Sequence, residues 1–227
     1  MLELFGFKRK THVGISLSAN NFIELMYVDR VTKNVVRYAS GNVKYNNAIK
    51  EVIDYEELKG VIGDLFEEAG LDPSQCSVSF SLPNVHFAII PHDEGGDVED
   101  NIKEEIEDLY IFKRNEPTIS YVVLEGLLGK QNDVYSAVQA KVVGKLIEIF
   151  NDLGATLERI ESSYSALLKA IQYHDKYRDL FAKEEQTTVF LISQTSCCSF
   201  YLNGNIVMDY SEEPLAVKSF APEEIHT

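Results

Sequence analysis

The sequence predicts an α/β protein with a duplicated fold, because one pattern occurs in it twice. Residues 13–28 consist of an apolar run, a polar break at 18–21 and a second apolar run. This pattern is typical of a β-hairpin whose turn is built from small and Asx residues. It recurs at residues 187–201, with a polar break at 193–196. Since each hairpin opens an α/β segment, we expect two halves that face each other across a cleft.

Composition and charge narrow the class of protein. The chain has 227 residues, of which 45% are hydrophobic and 25% charged, as in globular proteins. The net charge of −15 argues against nucleic-acid binding, which needs clustered Lys and Arg. No apolar run approaches the roughly 18 residues of a membrane span, and the N-terminus lacks a signal-peptide core. The three cysteines predict neither a disulfide framework nor a metal site, and they suit the reducing cytoplasm.

The first half continues with a third strand and an amphipathic helix. We expect the strand at residues 35–40. Apolar side chains then recur at helical spacing between residues 58 and 69. Asp54 is the expected N-cap of this helix, as part of a capping box, and Gly70 is the expected glycine after its end. A further strand is expected at residues 77–82.

Residues 85–140 form a module that interrupts this pattern. We expect a strand at 85–90, a helix at 99–110 and two strands at 118–124 and 134–140. The helix is strongly acidic, which is typical of a solvent-exposed face. The side chains expected to face inward are Ile102, Ile106 and Leu109.

The α/β pattern resumes with a helix at 141–153, a strand at 156–161, a helix from Ser162 and a hairpin turn at Asn203-Gly204. The side chains expected to be buried in the first helix are Val143, Leu146, Ile147 and Phe150, and in the second Tyr164, Leu167, Leu168 and Ile171. We divide the chain into a first-half core at 1–84, the inserted module at 85–140, completion of the core at 141–186 and the start of a truncated second half at 187–227.

Taken in order, these motifs resemble the PilM family of type IV pilus assembly proteins, and more distantly the cell-division protein FtsA. The matching segments include Val13-Gly14-Ile15, Ser81-Leu82-Pro83, Ile89-Ile90-Pro91, Tyr135-Ser136-Ala137-Val138, Leu153-Gly154 and Asn203-Gly204. The resemblance implies an actin-like, ribonuclease H-like core with an inserted strand-helix-strand-strand (SHS2-like) module. It also implies a bacterial cytoplasmic scaffold at the inner face of the cytoplasmic membrane, held there by a PilN-like membrane protein whose tail it binds. Self-association is a further option.

The chain departs from the family at both phosphate loops. Where PilM carries Asp-Ile-Gly type sequences, this chain has Ser16-Leu17-Ser18 and Ile192-Ser193-Gln194. The carboxylate that would act on metal and water is missing, and so is the glycine that lets the backbone approach phosphate. We therefore expect no catalytic residue, no metal, no cofactor and no ATP hydrolysis. The degenerate nucleotide-binding positions are Ser16, Ser18, Ala19, Asn20, Ser193, Gln194 and Thr195.

Two alternatives remain beside the scaffold. One is an actin-like ATPase that retains ATP and Mg²⁺ binding, and the other is the cytoplasmic domain of a GspL-like secretion protein. For the scaffold, we expect an extended peptide to bind in a groove between the first-half core and the inserted module. The residues assigned to this groove are Ile89, Tyr121, Val123 and Tyr135.

No enzyme motif stands out elsewhere in the sequence. The histidines, among them His12 and His92, are scattered along the chain. Ser77, Ser79 and Ser81 alternate on one strand face without a Gly-x-Ser-x-Gly elbow.

Overall fold

We describe a computed structural model of the chain. It describes residues 10–18, 21–29, 31–32, 34–46, 51–52, 54–83, 85–93, 95–109, 111–113, 115–125, 131–174, 177–181, 186–192, 196–204 and 206–214. The strands are β1 Thr11–Leu17, β2 Phe22–Val28, β3 Val35–Asn42, β4 Tyr45–Asn46, β5 Glu51–Val52, β6 Cys76–Leu82, β7 His86–Pro91, β8 Pro117–Glu125, β9 Gln131–Gln139, β10 Thr156–Ser162, β11 Gln186–Ile192, β12 Ser196–Asn203 and β13 Ile206–Pro214. The helices are α1 Tyr55–Glu68, α2 Val98–Ile106, α3 Ala140–Asp152, α4 Ser163–Tyr173 and α5 Arg178–Phe181.

The largest sheet has five strands in the order β10-β6-β1-β2-β3. β1, β6 and β10 are parallel, whereas β2 and β3 join β1 as antiparallel hairpin strands. Alternate side chains of β1, those of Val13, Ile15 and Leu17, are fully buried in the main core. Burial on one face follows from the two-residue period of a strand, and it places the intervening side chains on the opposite face of the sheet.

Helix α1 has the predicted N-cap residue and the predicted glycine after its end. The side chain of Asp54 accepts hydrogen bonds from the backbone N–H groups of Glu56 and Glu57. Gly70 follows the C-cap with φ of 64°, and the backbone N–H groups of Gly70 and Leu71 donate to carbonyls in the last turn. This is the Schellman arrangement, in which a glycine adopts the left-handed conformation. The helix buries the predicted residues Leu58, Ile62, Leu65 and Phe66.

The buried face of helix α3 overlaps the predicted face only in part. Val142 and Ile149 are buried beside Leu146 and Phe150, whereas Ile147 is 45% exposed. The ring of Phe150 meets that of Phe80 edge to face, with 5.8 Å between the ring centroids. Apolar residues occupy more than one stripe of this helix, so helical periodicity alone could not decide which stripe meets the sheet.

The module has the predicted order β7-α2-β8-β9, and its sheet has the order β7-β9-β8. Helix α2 ends at Ile106 and not at Tyr110. Leu109 and Phe112 lie in successive backbone turns after it, and Phe112 is buried while Leu109 is half-buried. Strand β9 starts earlier than predicted, at Gln131, and Ala140 already belongs to α3.

The last three strands form a separate antiparallel sheet in the order β11-β12-β13. They include the second predicted hairpin, and Gly204 turns the chain between β12 and β13 with φ of 57°. Helix α4 begins at Ser163, because Ser162 is the last residue of β10. Within it Leu168 is buried as predicted, but Leu167 is 48% exposed, contrary to the prediction.

The chain divides into two compact units. The first comprises residues 1–87, 95–120 and 136–163, and the second comprises residues 88–94, 121–135 and 164–227. The first unit contains the five-stranded sheet, α1, α2 and α3. The second contains the β11-β12-β13 sheet and nearly all of α4.

Candidate functional site

A cavity of about 270 Å³ lies beside β10 in the first unit. Four consecutive residues of this strand, 157–160, line it. Because successive side chains of a strand point to opposite faces, the cavity meets β10 at its edge and not from one face only. Its apolar lining residues are Val85, Val138, Val143, Ile147, Leu157 and Ile160.

Polar groups occupy the rest of the cavity wall. Thr118 and Ser120 of β8 and Ser136 of β9 contribute hydroxyls, while Glu158 and Arg159 contribute one charge of each sign. A β-bulge between Leu157 and Arg159 shifts the register of β10 against β6. The extra residue in this bulge is Glu158. A bulge changes the direction in which the side chains at that point of the strand project.

β10 is an end strand of its sheet, and its outer side pairs with no strand in the part of the chain that the structure describes. The outer backbone groups of an end strand can pair with a further strand. An apolar cavity with a few hydroxyls, set against such an edge, has the features of a site for an extended peptide.

The four residues assigned to the groove from the sequence do not line this cavity. Tyr135, on β9, is only 1% exposed. Tyr121 and Val123 are exposed on β8, and Ile89 is half-buried in β7. Sequence reasoning did not assign Val143 and Ile147 to the groove, because it placed both on the inner side of α3. Val143 is partly buried and packs against the core as expected, whereas Ile147 is exposed. The signal was present, because the apolar surface of α3 is wider than one buried stripe requires.

Ser18 and Asn21, the described residues on either side of the first predicted phosphate loop, both hydrogen-bond to the backbone. The backbone N–H of Ser18 donates to the carbonyl of Phe22 at 2.8 Å, and its hydroxyl donates to the same carbonyl at 2.9 Å. Asn21 has φ of 70°, and its side-chain oxygen accepts from the backbone N–H of Tyr45 at 2.9 Å. These groups stabilise the hairpin turn.

The remaining nucleotide positions are only partly described. Ser16 lies on β1, opposite Ser81 of β6 and Glu24 of β2. Ala19, Asn20, Ser193, Gln194 and Thr195 lie outside the described residues. Among the described residues, no three or more His, Cys, Asp or Glu side chains come together as a metal site would require. No helix in the described ranges is both long and apolar enough to cross a membrane.

No family model and no curated protein sequence matches the chain, but solved structures do. A chain of the PilM–PilN type IV pilus biogenesis complex matches with a TM-score of 0.65 and 17% identity, over 90% of this chain and 62% of that one. A Bacteroides thetaiotaomicron protein of unknown function with an actin-like ATPase fold matches with a TM-score of 0.54 and 12% identity, over 95% of this chain and 74% of that one. This chain has the actin-like fold.

The predicted fold is therefore confirmed. The chain spans less than two thirds of the matched chain in the PilM–PilN complex. A weaker likeness, with a TM-score of 0.49 and 12% identity, links 89% of this chain to 71% of the cytoplasmic domain of EpsL, an inner membrane component of the type II secretion system of Vibrio cholerae. At that score it adds nothing to the assignment of the fold.

Proposed function

We propose that this protein is a PilM-like scaffold of a type IV pilus or related secretion machine. It binds the extended tail of a PilN-like membrane protein and does not hydrolyse ATP. The observation that carries the proposal is the cavity at the edge of β10, in a chain whose fold matches that of the PilM–PilN complex. The protein acts in the cytoplasm, and its partner recruits it to the membrane.

The cavity suits a peptide in extended conformation. A bound strand would pair with the edge of β10 and direct alternate side chains toward α3 and toward the strands β8 and β9. Val143 and Ile147 provide an apolar surface on the helical side. Ser120 and Ser136 provide hydroxyls for peptide groups that remain outside the backbone pairing.

The first hairpin turn supports a function without nucleotide hydrolysis. The backbone N–H and the hydroxyl of Ser18 both donate hydrogen bonds to the carbonyl of Phe22. They therefore stabilise the turn and are not directed at a phosphate. Phosphoryl transfer needs Mg²⁺ and oriented charge to stabilise the transition state. Neither Ser16 nor Ser18 can hold a metal as the family's aspartate would.

Peptide binding can be measured by fluorescence anisotropy with a labelled N-terminal peptide of a PilN-like protein. We expect saturable binding that a scrambled peptide does not reproduce. Ile147→Lys places a charge in the apolar wall and should weaken binding at least tenfold. The matched control is Val35→Lys, at a residue of β3 that is 55% exposed and does not line the cavity. Equal binding by both variants would contradict the assigned groove.

Thermal-shift titrations separate the scaffold from the ATPase. A ligand that binds only the native state raises the melting temperature as its concentration passes Kd. We expect no shift with Mg·ATP and a shift with the peptide. A shift with Mg·ATP would favour the actin-like ATPase.

A further inference from the structure

Three polar side chains from three neighbouring strands meet on the five-stranded sheet, on the face opposite the buried side chains of β1. Nε2 of His12 on β1 lies 3.1 Å from Oγ of Ser79 on β6. Nδ1 of the same ring lies 3.4 Å from Oε2 of Glu158 on β10 and 3.2 Å from Oγ of Ser77. A hydroxyl, an imidazole and a carboxylate thus follow one another in the order that activates a serine.

The carboxylate of Glu158 selects the tautomer of His12. With the proton on Nδ1, that N–H points at two acceptors, Glu158 and Ser77, and the Nε2 lone pair accepts from the hydroxyl of Ser79. The other tautomer would direct the Nδ1 lone pair at a carboxylate, which is repulsive. The favoured tautomer is the one in which a histidine serves as general base for a serine.

The neighbours of Ser79 on the two flanking strands are a glycine and an exposed arginine. Its neighbour on β1 is Gly14, and a Cβ built there would have only the carbonyl oxygen of Met26 within 4 Å, at 3.9 Å. Its neighbour on β10 is Arg159, whose side chain is exposed. Arginine is among the groups that stabilise an oxyanion as it forms. Because of the bulge, two consecutive residues of β10 adjoin this cluster: Glu158 lies beside His12, and Arg159 lies beside Ser79.

We propose that Ser79 is an activated nucleophile that accepts an acyl group from a carboxylic ester. Oγ of Ser79 attacks the carbonyl carbon, and the hydroxyl proton passes to Nε2 of His12. The bond from carbon to the leaving oxygen breaks, and His12 returns the proton to the departing alcohol. Water then attacks the acyl-serine by the same route, so the acid is released and Ser79 is restored. The cluster shares Glu158 and Arg159 with the wall of the cavity assigned to the peptide, and its activity is measured without any peptide.

The test is covalent labelling of the intact chain by an alkyl fluorophosphonate. Ser79 displaces fluoride from phosphorus and His12 takes the proton, so intact mass and peptide mapping report one phosphonylated serine. We expect labelling at Ser79 that prior incubation with p-nitrophenyl acetate slows. Ser79→Ala should abolish labelling, and His12→Ala should slow it at least tenfold. Ser81→Ala is the matched control on the same strand and should label at the rate of the unaltered chain.

Glu158 is a positioning residue. Its test therefore needs a measurement that would not change if Glu158 only stabilised the fold. Glu158→Gln should slow labelling at least tenfold while the melting temperature stays unchanged. Long-range ¹H–¹⁵N spectra of His12 should show Nδ1 protonated in the unaltered chain and a mixture of tautomers in Glu158→Gln. Absence of labelling in the unaltered chain, or labelling that survives Ser79→Ala, would overturn the proposal.

Discussion

Buried Asp133 pairs with partly buried His92 in the second unit, where Nδ1 of His92 lies 2.8 Å from Oδ1 of Asp133. Asp133 is 0% exposed, and its second carboxylate oxygen has no hydrogen-bond partner among the described residues. A buried carboxylate is costly unless it is paired. His92 directly follows β7 and Asp133 lies in β9, so the pair links these two strands.

Removal of the histidine should destabilise the protein strongly. Loss of one member of a buried pair costs about 3 kcal/mol or more, because the other charge is left uncompensated. We expect His92→Ala to lower the free energy of unfolding in urea by about 3 kcal/mol. Lys145→Ala is the control, since it removes an exposed ion pair with Glu148 and should change little. Equal effects of the two substitutions would contradict a structural role for the pair.

Two glycines should respond in opposite directions to the same substitution. Gly70 has φ of 64°, where a Cβ is strained, so Gly70→Ala should destabilise by about 1 kcal/mol. Gly60 lies inside α1 with nothing within 4 Å of a built Cβ, so Gly60→Ala should stabilise by about 1 kcal/mol. Urea unfolding of both variants measures the signs. A stabilising Gly70→Ala would contradict the Schellman ending of α1.

Much of the fold follows from local rules that the sequence states directly. α1 carries its cap, its apolar stripe and its terminal glycine within about four helical turns, so its bounds and buried face are predictable. Both hairpins are marked by polar breaks. The end of α2 has no such mark in the sequence, because the turns that bury Phe112 depend on packing within the module.

The candidate sites are harder to predict, because they depend on strand register. His12, Ser79 and Glu158 are far apart in sequence and meet only through the pairing of β1 with β6 and of β6 with β10. The bulge in β10 changes which side chains share a face, and no sequence signal marks it. The cavity likewise depends on which apolar stripe of α3 faces the core.

A pair of isoleucines tests the orientation of α3. Ile149 is 4% exposed in the core, and Ile149→Ala should cost about 3 kcal/mol of stability. Ile147 is 45% exposed, so Ile147→Ala should cost less than about 1 kcal/mol and should weaken peptide binding instead. Unfolding in urea and peptide anisotropy separate the two effects. A larger stability loss for Ile147→Ala would restore the face predicted from the sequence.

The two adjacent cysteines should differ in reactivity. Burial raises the pKa of the Cys198 thiol to about 11, against an opposing contribution from its contact with the Tyr210 hydroxyl. Burial also raises the pKa of Cys76. Since only the thiolate attacks alkylating reagents, both thiols should resist iodoacetamide at about pH 8.

Cys197 is only half-buried and should react first in the native protein, as judged by peptide mapping after short exposure. After unfolding in urea all three thiols should react alike. Because the pKa of Cys198 is raised, the thiol makes its full contribution to stability at pH values below its ordinary pKa of 9.0. This contribution is lost as the pH rises toward the folded-state pKa of about 11. Cys198→Ala should therefore reduce the loss of stability between those pH values. Rapid alkylation of Cys198 in the native state at about pH 8 would show that it is not buried as the structure places it.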